Sequence, residues 1–325
     1  MVKQISVMDE NWNYLVILDA CRYDFFFKLH PDYLIGELRK VISLGSSTLE
    51  WCKKSFQKAY DDVIYVSANP YINSKGEVKG FKASNHFYKV IDVWDWGWDE
   101  DLGTVHPKRV NEIVRSVKDD YPDRRLIIHY LQPHAPYLTY DLPTHGFSKP
   151  HIGHGHPLAG VQNGRNHGVF EENLPKLLRI LIRPTGFFGG NLLWKFHELL
   201  NLPPVSPMDA TRRRFGNIGL KYAYIQNLAL VLDYVANLVE DLSGVIVVTA
   251  DHGEYLGEEG RYSHSDGCRD PLLLEVPWLL VNKTVSREHF QGEENKRKYT
   301  WKSPEKTQKR EKEKIKSKLR ELGYM

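Results

Sequence analysis

Residues 220–254, LKYAYIQNLALVLDYVANLVEDLSGVIVVTADHGE, decide the fold class. Apolar residues recur at roughly helical spacing over residues 220–242, which predicts an amphipathic helix. A short Ser-Gly connection leads into the apolar run 244–249, which predicts a buried strand. A helix that runs directly into a strand is typical of an α/β unit.

Other short apolar runs along the chain have the same character. They predict further strands at Tyr14–Leu18, residues 40–43, residues 63–67, Arg125–Tyr130 and residues 277–281. Helical patterns lie between these runs. Strands that alternate with helices predict an α/β fold with a mostly parallel central sheet and helices on both faces.

Composition describes an ordinary globular protein and excludes several classes. The 325 residues are 42% apolar and 26% charged, with a net charge of +3, too small to indicate nucleic acid as the main partner. Three cysteines cannot form a disulfide framework and indicate a reducing compartment. No signal peptide or long apolar stretch is evident. We therefore expect a cytoplasmic protein, with contact at a membrane surface as the one membrane role left open.

Two segments differ from the rest of the chain. Residues 141–205 are rich in His and Gly and then apolar with basic residues, which predicts an insertion or lid over one end of the sheet. That segment suits either a helical subdomain with its own packing or a patch that binds a membrane surface. Residues 291–325 carry mixed charge and predict a solvated helical tail, so the main domain is expected to span residues 1–290.

Potential metal ligands follow two of the predicted strands. Asp19 comes directly after the first strand, where it suits either a cation or a helix N-cap. Asp251 and His252 follow the strand at residues 244–249, and His264 lies thirteen residues after Asp251. Carboxylate and imidazole together are natural ligands for Zn²⁺ or Mn²⁺. Gly253 would let another backbone segment approach closely.

A histidine-containing loop and a cluster of hydroxyl residues complete the candidates. His129 lies within a predicted strand, where it suits a core position equally well, and His134 lies in a stiff loop between prolines. Ser46, Ser47 and Thr48 precede a predicted helix, where one hydroxyl would face an anionic group at the helix N-terminus. A cation beside that hydroxyl would make it a nucleophile, although an N-cap is the simpler interpretation.

In this order the motifs resemble those of the alkaline phosphatase/sulfatase superfamily. The matching segments are Asp-x-x-Arg-x-Asp at 19–24, the hydroxyl residues at 46–48, His-Tyr-x-x-Pro-His-x-Pro-Tyr at 129–137, and Asp-His-Gly-Glu at 251–254 with His264 downstream. A Val-Pro strand at 276–281 and the ending Leu-Gly-Tyr at 322–324 add to the resemblance. The resemblance implies an alkaline-phosphatase-like α/β fold.

The resemblance also implies roles for individual residues. Asp19, Thr48, Asp251 and His252 would bind a divalent metal, which could be Zn, Mn, Mg or Ca. Thr48 would be the nucleophile, with Ser46 or Ser47 as the alternative. His134 and His264 would bind the transferred group or protonate the departing alcohol, and His264 could instead bind a second metal. Arg22 and His129 would contact the substrate, although Arg22 suits a bystander ion pair equally well.

Departures from the family pattern narrow the expected chemistry. The formylglycine motif Cys-x-Pro-x-Arg of true sulfatases is absent, and Thr-Leu-Glu-Trp-Cys occupies its place at 48–52. A Thr nucleophile is similar to that of the phosphoester-transferring branch. Gln132 stands where an Asp usually holds the second metal, so one tightly held metal is expected.

The function implied is therefore a metal-dependent hydrolase or transferase. Its substrate would be a phosphate or sulfate ester of a small molecule, glycan or lipid-linked alcohol. Two alternatives stay open at this point: a non-catalytic relative that binds acidic glycans, and a sugar-phosphate mutase. Bound metal would favour either enzyme over the binding module.

Overall fold

A computed structural model describes residues 2–138, 146–153, 156–159, 198–200 and 202–284. It contains one large sheet of seven strands. In chain order these strands are β1 (Tyr14–Leu18), β2 (Leu34–Ile42), β3 (Tyr60–Ser67), β4 (Phe87–Asp92), β7 (Arg125–Tyr130), β10 (Ile246–Thr249) and β13 (Glu275–Thr284). Three small two-stranded sheets pair β5 (Trp98–Asp99) with β6 (Thr104–Val105), β8 (His151–Gly153) with β9 (His156–Ala159), and β11 (Tyr255–Leu256) with β12 (Tyr262–Ser263).

The large sheet is mixed and mostly parallel, which confirms the predicted fold class. Its spatial order is β2-β13-β10-β1-β7-β3-β4. Strand β13 runs antiparallel to both of its neighbours, and all other adjacent strands pair in parallel. Every residue of the central strand β1 is buried, as expected for a strand covered on both faces.

The strand at the edge of the sheet is longer than predicted. Residues 40–42 of that prediction form only the end of β2, and Ser43 lies beyond it; the earlier residues of β2 alternate between charged and small or apolar types. Glu37, Arg39 and Lys40 are partly or fully exposed there, since the edge strand faces solvent. An edge strand therefore lacks the continuous apolar run by which the buried strands were predicted.

Six α-helices flank the sheet or join its strands in the described ranges. They are α1 (Tyr23–Leu29), α2 (Thr48–Ser55), α3 (Val93–Trp96), α4 (Pro107–Asp120), α5 (Pro207–Val239) and α6 (Pro271–Leu274). Short 3₁₀ turns lie at Val7–Asp9, His30–Asp32, Ala83–Asn85 and Glu258–Gly260.

The long helix α5 is longer than the segment predicted at 220–242. It begins at Pro207, capped by Ser206, whose side chain accepts from the amide of Asp209. Gly216 interrupts it with φ of 72°, which L-residues rarely adopt. Beyond that glycine one face is buried against the sheet and against the loops at the carboxyl ends of β1 and β7.

Several sequence predictions concern segments outside this description. The tail at 291–325 and most of the insertion at 141–205 lie outside the described residues, and the domain boundary at 290 stays a prediction. Within the described ranges, no helix is both long enough and apolar enough to cross a membrane. The three cysteines are free thiols, as expected, with Cys21 and Cys52 buried.

Candidate functional site

The candidate residues converge at the carboxyl ends of adjacent strands. Asp19 follows β1, Asp251 and His252 follow β10, and His134 lies in the loop after β7. Because β10, β1 and β7 are neighbours that run in parallel, their following loops meet at one edge of the sheet. This is the edge at which open α/β sheets gather their reactive groups.

Thr48 is brought to this edge by the direction of β2. That strand runs parallel to β10, so the segment after Ile42 reaches the same end of the sheet and opens α2 at Thr48. The hydroxyl of Thr48 donates to Asp251 Oδ2 over 2.8 Å and lies 3.3 Å from His252 Nε2. Thr48 is also 4% exposed, so its hydroxyl faces the site and not solvent.

The neighbouring serines face away from Asp251. Ser46 Oγ lies 2.8 Å from Glu50 Oε2 and 2.7 Å from the carbonyl of Ser265, either of which can accept its hydrogen, and Ser47 Oγ donates to Asp266. Ser47 is also the N-cap of α2, because its side chain accepts from the amide of Glu50. Of the three candidate hydroxyls, Thr48 is therefore the one in contact with the carboxylate and imidazole cluster.

The inner group, defined as Asp19, His129 and Asp251, is fully buried. Each offers one ligand atom, and these atoms all lie within 4.8 Å of one another. His129 Nε2 is 3.5 Å from Asp19 Oδ2, and Asp19 Oδ1 is 3.9 Å from His252 Nε2. His252 therefore lies beside the inner group, next to Thr48.

Hydrogen bonds orient two carboxylates, those of Asp19 and Asp251, and the imidazole of His252. Asn69 Nδ2 donates to Asp19 Oδ2 over 2.6 Å, and Ala20 N donates to Asp251 Oδ1 over 3.1 Å. His252 Nδ1 lies 2.8 Å from the carbonyl of Gly253. Because a carbonyl only accepts, Nδ1 must carry the proton in neutral His252, and Nε2 presents its lone pair to the site.

The outer group, defined as His134, Glu254 and His264, adjoins the inner one. His264 Nδ1 is 3.0 Å from Glu254 Oε1, and His134 Nε2 is 3.7 Å from Glu254 Oε2. The Glu254 carboxylate is fully buried, whereas the two imidazoles are 21% and 20% exposed. The His252 and His264 rings, 4.1 Å apart, join the two groups.

Burial and neighbouring charges shift the pKa values of residues in and beside the two groups. Burial disfavours the charged form of Asp19, but His129 and the nearby His134 and His252 outweigh this and hold its pKa well below its ordinary value. Burial lowers the pKa of His252. Burial also disfavours the charged form of His264, but the Glu254 carboxylate raises the pKa of His264 to about 9.

The donor set of the inner group fits a divalent cation. His129 Nε2 is buried and has no hydrogen-bond partner, although it points at a carboxylate. Tyr65 OH lies 2.8 Å from the other ring nitrogen, Nδ1. Two carboxylates and an imidazole, with ligand atoms within 4.8 Å of one another and one ring nitrogen that lacks a hydrogen-bond partner, are donor types that suit Zn²⁺ or Mn²⁺. Glu254 Oε2 in the outer group is similarly buried and unpaired.

Two predicted substrate contacts are not supported by the contacts observed. The Arg22 guanidinium is 5% exposed and forms ion pairs with Asp24 and Glu258, which supports the bystander interpretation. His129 is completely buried, and its Nε2 belongs to the inner ligand group.

Sequence reasoning missed two residues of the site. Glu254 belongs to the Asp-His-Gly-Glu motif but had no predicted role, because Gln132 stands where the family pattern places a second carboxylate. Gln132 instead donates to the carbonyl of Val105, and Glu254 supplies the carboxylate from the other side of the site. Asn69 carried no signal, since an Asn two residues after a strand also suits a turn.

Comparisons with solved structures found several matches of low sequence identity. The soluble domain of lipooligosaccharide phosphoethanolamine transferase A from Neisseria meningitidis is 14% identical, with 82% of this chain and 75% of that chain covered and a TM-score of 0.42. The C-terminal periplasmic domain of EcEptC from Escherichia coli, in complex with Zn, is 14% identical, with coverage of 87% and 78% and a TM-score of 0.41. A 2-O GAG sulfatase is 11% identical, with coverage of 84% and 64% and a TM-score of 0.40.

The names of these neighbours describe two phosphoethanolamine transferases and one sulfatase. The chain spans 49% of the integral membrane form of the Neisseria protein. No family model and no curated protein matches this chain. At such identities and TM-scores, the roles of the residues have to rest on the geometry of the site itself.

Proposed function

We propose that this protein is a metal-dependent enzyme that hydrolyses or transfers a phosphate ester, with Thr48 as its nucleophile. One observation carries the proposal: the Thr48 hydroxyl donates to Asp251 over 2.8 Å at the edge of a buried ligand group. A helix N-cap role belongs to Ser47, so capping does not explain where the Thr48 hydroxyl points.

Four residues would hold the cation: Asp19, Asp251, His252 and Thr48, with His129 available as a further ligand. When bound, a divalent cation supplies Lewis-acid chemistry that lowers the pKa of a nearby hydroxyl and offsets charge on the ester. The buried carboxylates and the unpaired His129 nitrogen make this site suitable for a tightly held ion.

Side chains of the protein act in each step of bond making and breaking. Thr48 Oγ1 attacks phosphorus, and its proton leaves along the existing hydrogen bond to Asp251 Oδ2. The bond from phosphorus to the alcohol oxygen breaks as an imidazole of the outer group, His134 or His264, gives that oxygen a proton. Water or a second alcohol attacks the phosphothreonine and restores the Thr48 hydroxyl.

An ordinary hydroxyl nucleophile favours phosphate over sulfate. The chain lacks the motif from which sulfatases form their modified Cys, and Thr48 occupies that place. We therefore propose a phosphoester of a small molecule, glycan or lipid-linked alcohol as substrate. The names of two structural neighbours describe phosphoethanolamine transferases, which is chemistry of this class.

The deciding experiment compares three hydroxyl variants on p-nitrophenyl phosphomonoester, phosphodiester and sulfate. Thr48→Ala should lower turnover of one phosphoester by about 10⁴-fold or more, as for other nucleophile removals. Ser46→Ala and Ser47→Ala should each retain most of that activity, because their hydroxyls bind the loop at residues 265–266. Full activity in Thr48→Ala would overturn the proposal, and turnover of the sulfate alone would reverse the choice of ester.

Cytoplasmic localisation and contact with a membrane surface remain part of the proposal. Cell fractionation with and without a high-salt wash tests both. Recovery in the soluble fraction is expected for the first, and salt-sensitive recovery with membranes for the second.

A further inference from the structure

Asn227 is a fully buried polar residue on the inner face of α5, far from the motifs in sequence. Its amide faces the loop at residues 133–138, which follows β7 and carries His134. Nδ2 donates to the carbonyls of Pro133, His134 and Pro136 over 3.2, 3.0 and 3.2 Å. Oδ1 accepts from the amide of Leu138 over 3.1 Å. One side chain therefore satisfies four main-chain groups of this loop.

The loop needs an external partner because it cannot pair its own backbone. Pro133 and Pro136 lack amide protons, and no described strand pairs with this segment. Buried carbonyls without a donor are costly, so a side chain has to supply the bonds. An Asn side chain has two donor hydrogens, so it can bond three carbonyls when two of them share one hydrogen. Its oxygen can at the same time accept from one backbone amide.

His134 is held from both sides of its backbone. Its amide donates to the carbonyl of Asp19 over 3.2 Å, and its carbonyl accepts from Asn227. Its ring Nδ1 donates to the carbonyl of Ala135 over 2.6 Å, and its Nε2 lies 3.7 Å from Glu254 Oε2. Without Asn227, the backbone of His134 would keep only the bond to Asp19.

We propose that Asn227 is a positioning residue that fixes the orientation of His134 in the site. This inference rests on the proposed function for its effect on turnover, but its effect on the loop is independent of that function. The same helix offers an internal comparison one turn earlier. Tyr224 OH donates to the carbonyl of Ala20 and accepts from the amide of Arg22, so it holds the loop of Asp19 instead.

The first measurement is hydrogen exchange of backbone amides in the full chain. Asn227→Leu should speed exchange at Leu138 by about 10- to 100-fold through loss of its acceptor, and Tyr224→Phe should do so at Arg22 but not at Leu138. Asn237→Ala, an exposed Asn on the same helix, should change neither. Should Asn227→Leu not fold, Asn227→Asp keeps an acceptor for Leu138 but loses the amide donors to the loop carbonyls. The loop should then open more often, which would speed exchange at His134, whose amide donates to Asp19. Unchanged exchange at Leu138 in folded Asn227→Leu, or at His134 in Asn227→Asp, would overturn the proposal.

The second measurement is a double-mutant cycle on turnover of the phosphoester found with the ester panel. Asn227→Leu alone should lower kcat by about 100-fold, the typical cost of a misplaced group, with KM nearly unchanged. In a His134→Ala background the same change should cost less than about threefold, because Asn227 acts through His134. Equal losses in both backgrounds would overturn the positioning role. A wild-type protein with no turnover would refute the proposed function, while the exchange result would still decide the role of Asn227.

Discussion

The inner group and the outer group use the same chemistry in different surroundings. Asp19, His129 and Asp251 are wholly buried, and they form hydrogen bonds with Asn69, Tyr65 and the amide of Ala20. His134 and His264 instead keep about one fifth of their side chains exposed around a buried Glu254. Burial thus distinguishes two sets of ligands that the sequence presents as one list of acids and histidines.

Under the proposed function, this difference would give the two groups different tasks. A buried, hydrogen-bonded ligand set suits an ion that stays bound, because its ligands are already oriented and water is excluded. Partly exposed imidazoles suit groups that meet the substrate and exchange protons with it. Two roles fit the outer group, proton donor or holder of a second cation, and the metal stoichiometry of variants separates them.

The largest expected effect comes from the inner group. Asp251→Ala removes the acceptor of the Thr48 hydroxyl together with a metal ligand, so turnover should fall by about 10⁴-fold or more. Elemental analysis should show that the tightly bound metal is lost as well. Asp270→Ala, whose carboxylate pairs with Arg261 outside the site, is the matched control and should retain its metal. Retention of metal by Asp251→Ala would mean that the inner group is not the metal site.

A smaller effect is expected in the outer group. Glu254→Gln keeps the shape of the side chain but removes the charge between His134 and His264, so turnover should fall by about 10²- to 10³-fold. The tight metal should remain. Glu258→Gln, which weakens the ion pair with Arg22, is the matched control for loss of a nearby carboxylate. If Glu254→Gln loses the tight metal, the separation between the two groups fails.

Metal titration tests the same separation without activity. The inner group should bind one equivalent that a chelator removes slowly, because its ligands are buried. Any second equivalent should leave faster and should be absent in Glu254→Gln, since the outer imidazoles are open to solvent. One equivalent in both proteins would assign the outer group to proton transfer. A fast equivalent that persists in Glu254→Gln would place it elsewhere in the molecule.

The smallest effect concerns a residue behind the inner group. Tyr65→Phe removes the hydroxyl that contacts His129 Nδ1, so metal affinity should fall by about 10-fold, as for other residues that orient a ligand. Tyr130→Phe also loses one buried hydrogen bond, to Asn111, on a strand that leads to the site. The two variants should lose similar stability in urea, but only Tyr65→Phe should weaken metal binding. Equal affinities would show that His129 is a core histidine and not a ligand.

The sequence was most informative for buried strands and for close backbone approaches, because burial requires apolar residues and a close approach requires glycine. Continuous apolar runs predicted the buried strands, and Gly253 was correctly expected at a close backbone approach, since a Cβ there would collide with the carbonyl of Leu272. The edge strand β2 was underestimated because its face toward solvent carries charged residues. The start of α5 was missed because Gly216 divides the helical pattern.

The sequence by itself determined which residue types stand at the ends of the strands, because apolar runs and the residues after them are local features. It determined neither which hydroxyl meets Asp251 nor that Glu254 stands between two histidines. Both depend on contacts between residues distant in the chain, Thr48 with Asp251 and Glu254 with His134. Tertiary structure decided them, since the parallel register of neighbouring strands sets which loops meet, and burial sets which groups lose contact with water.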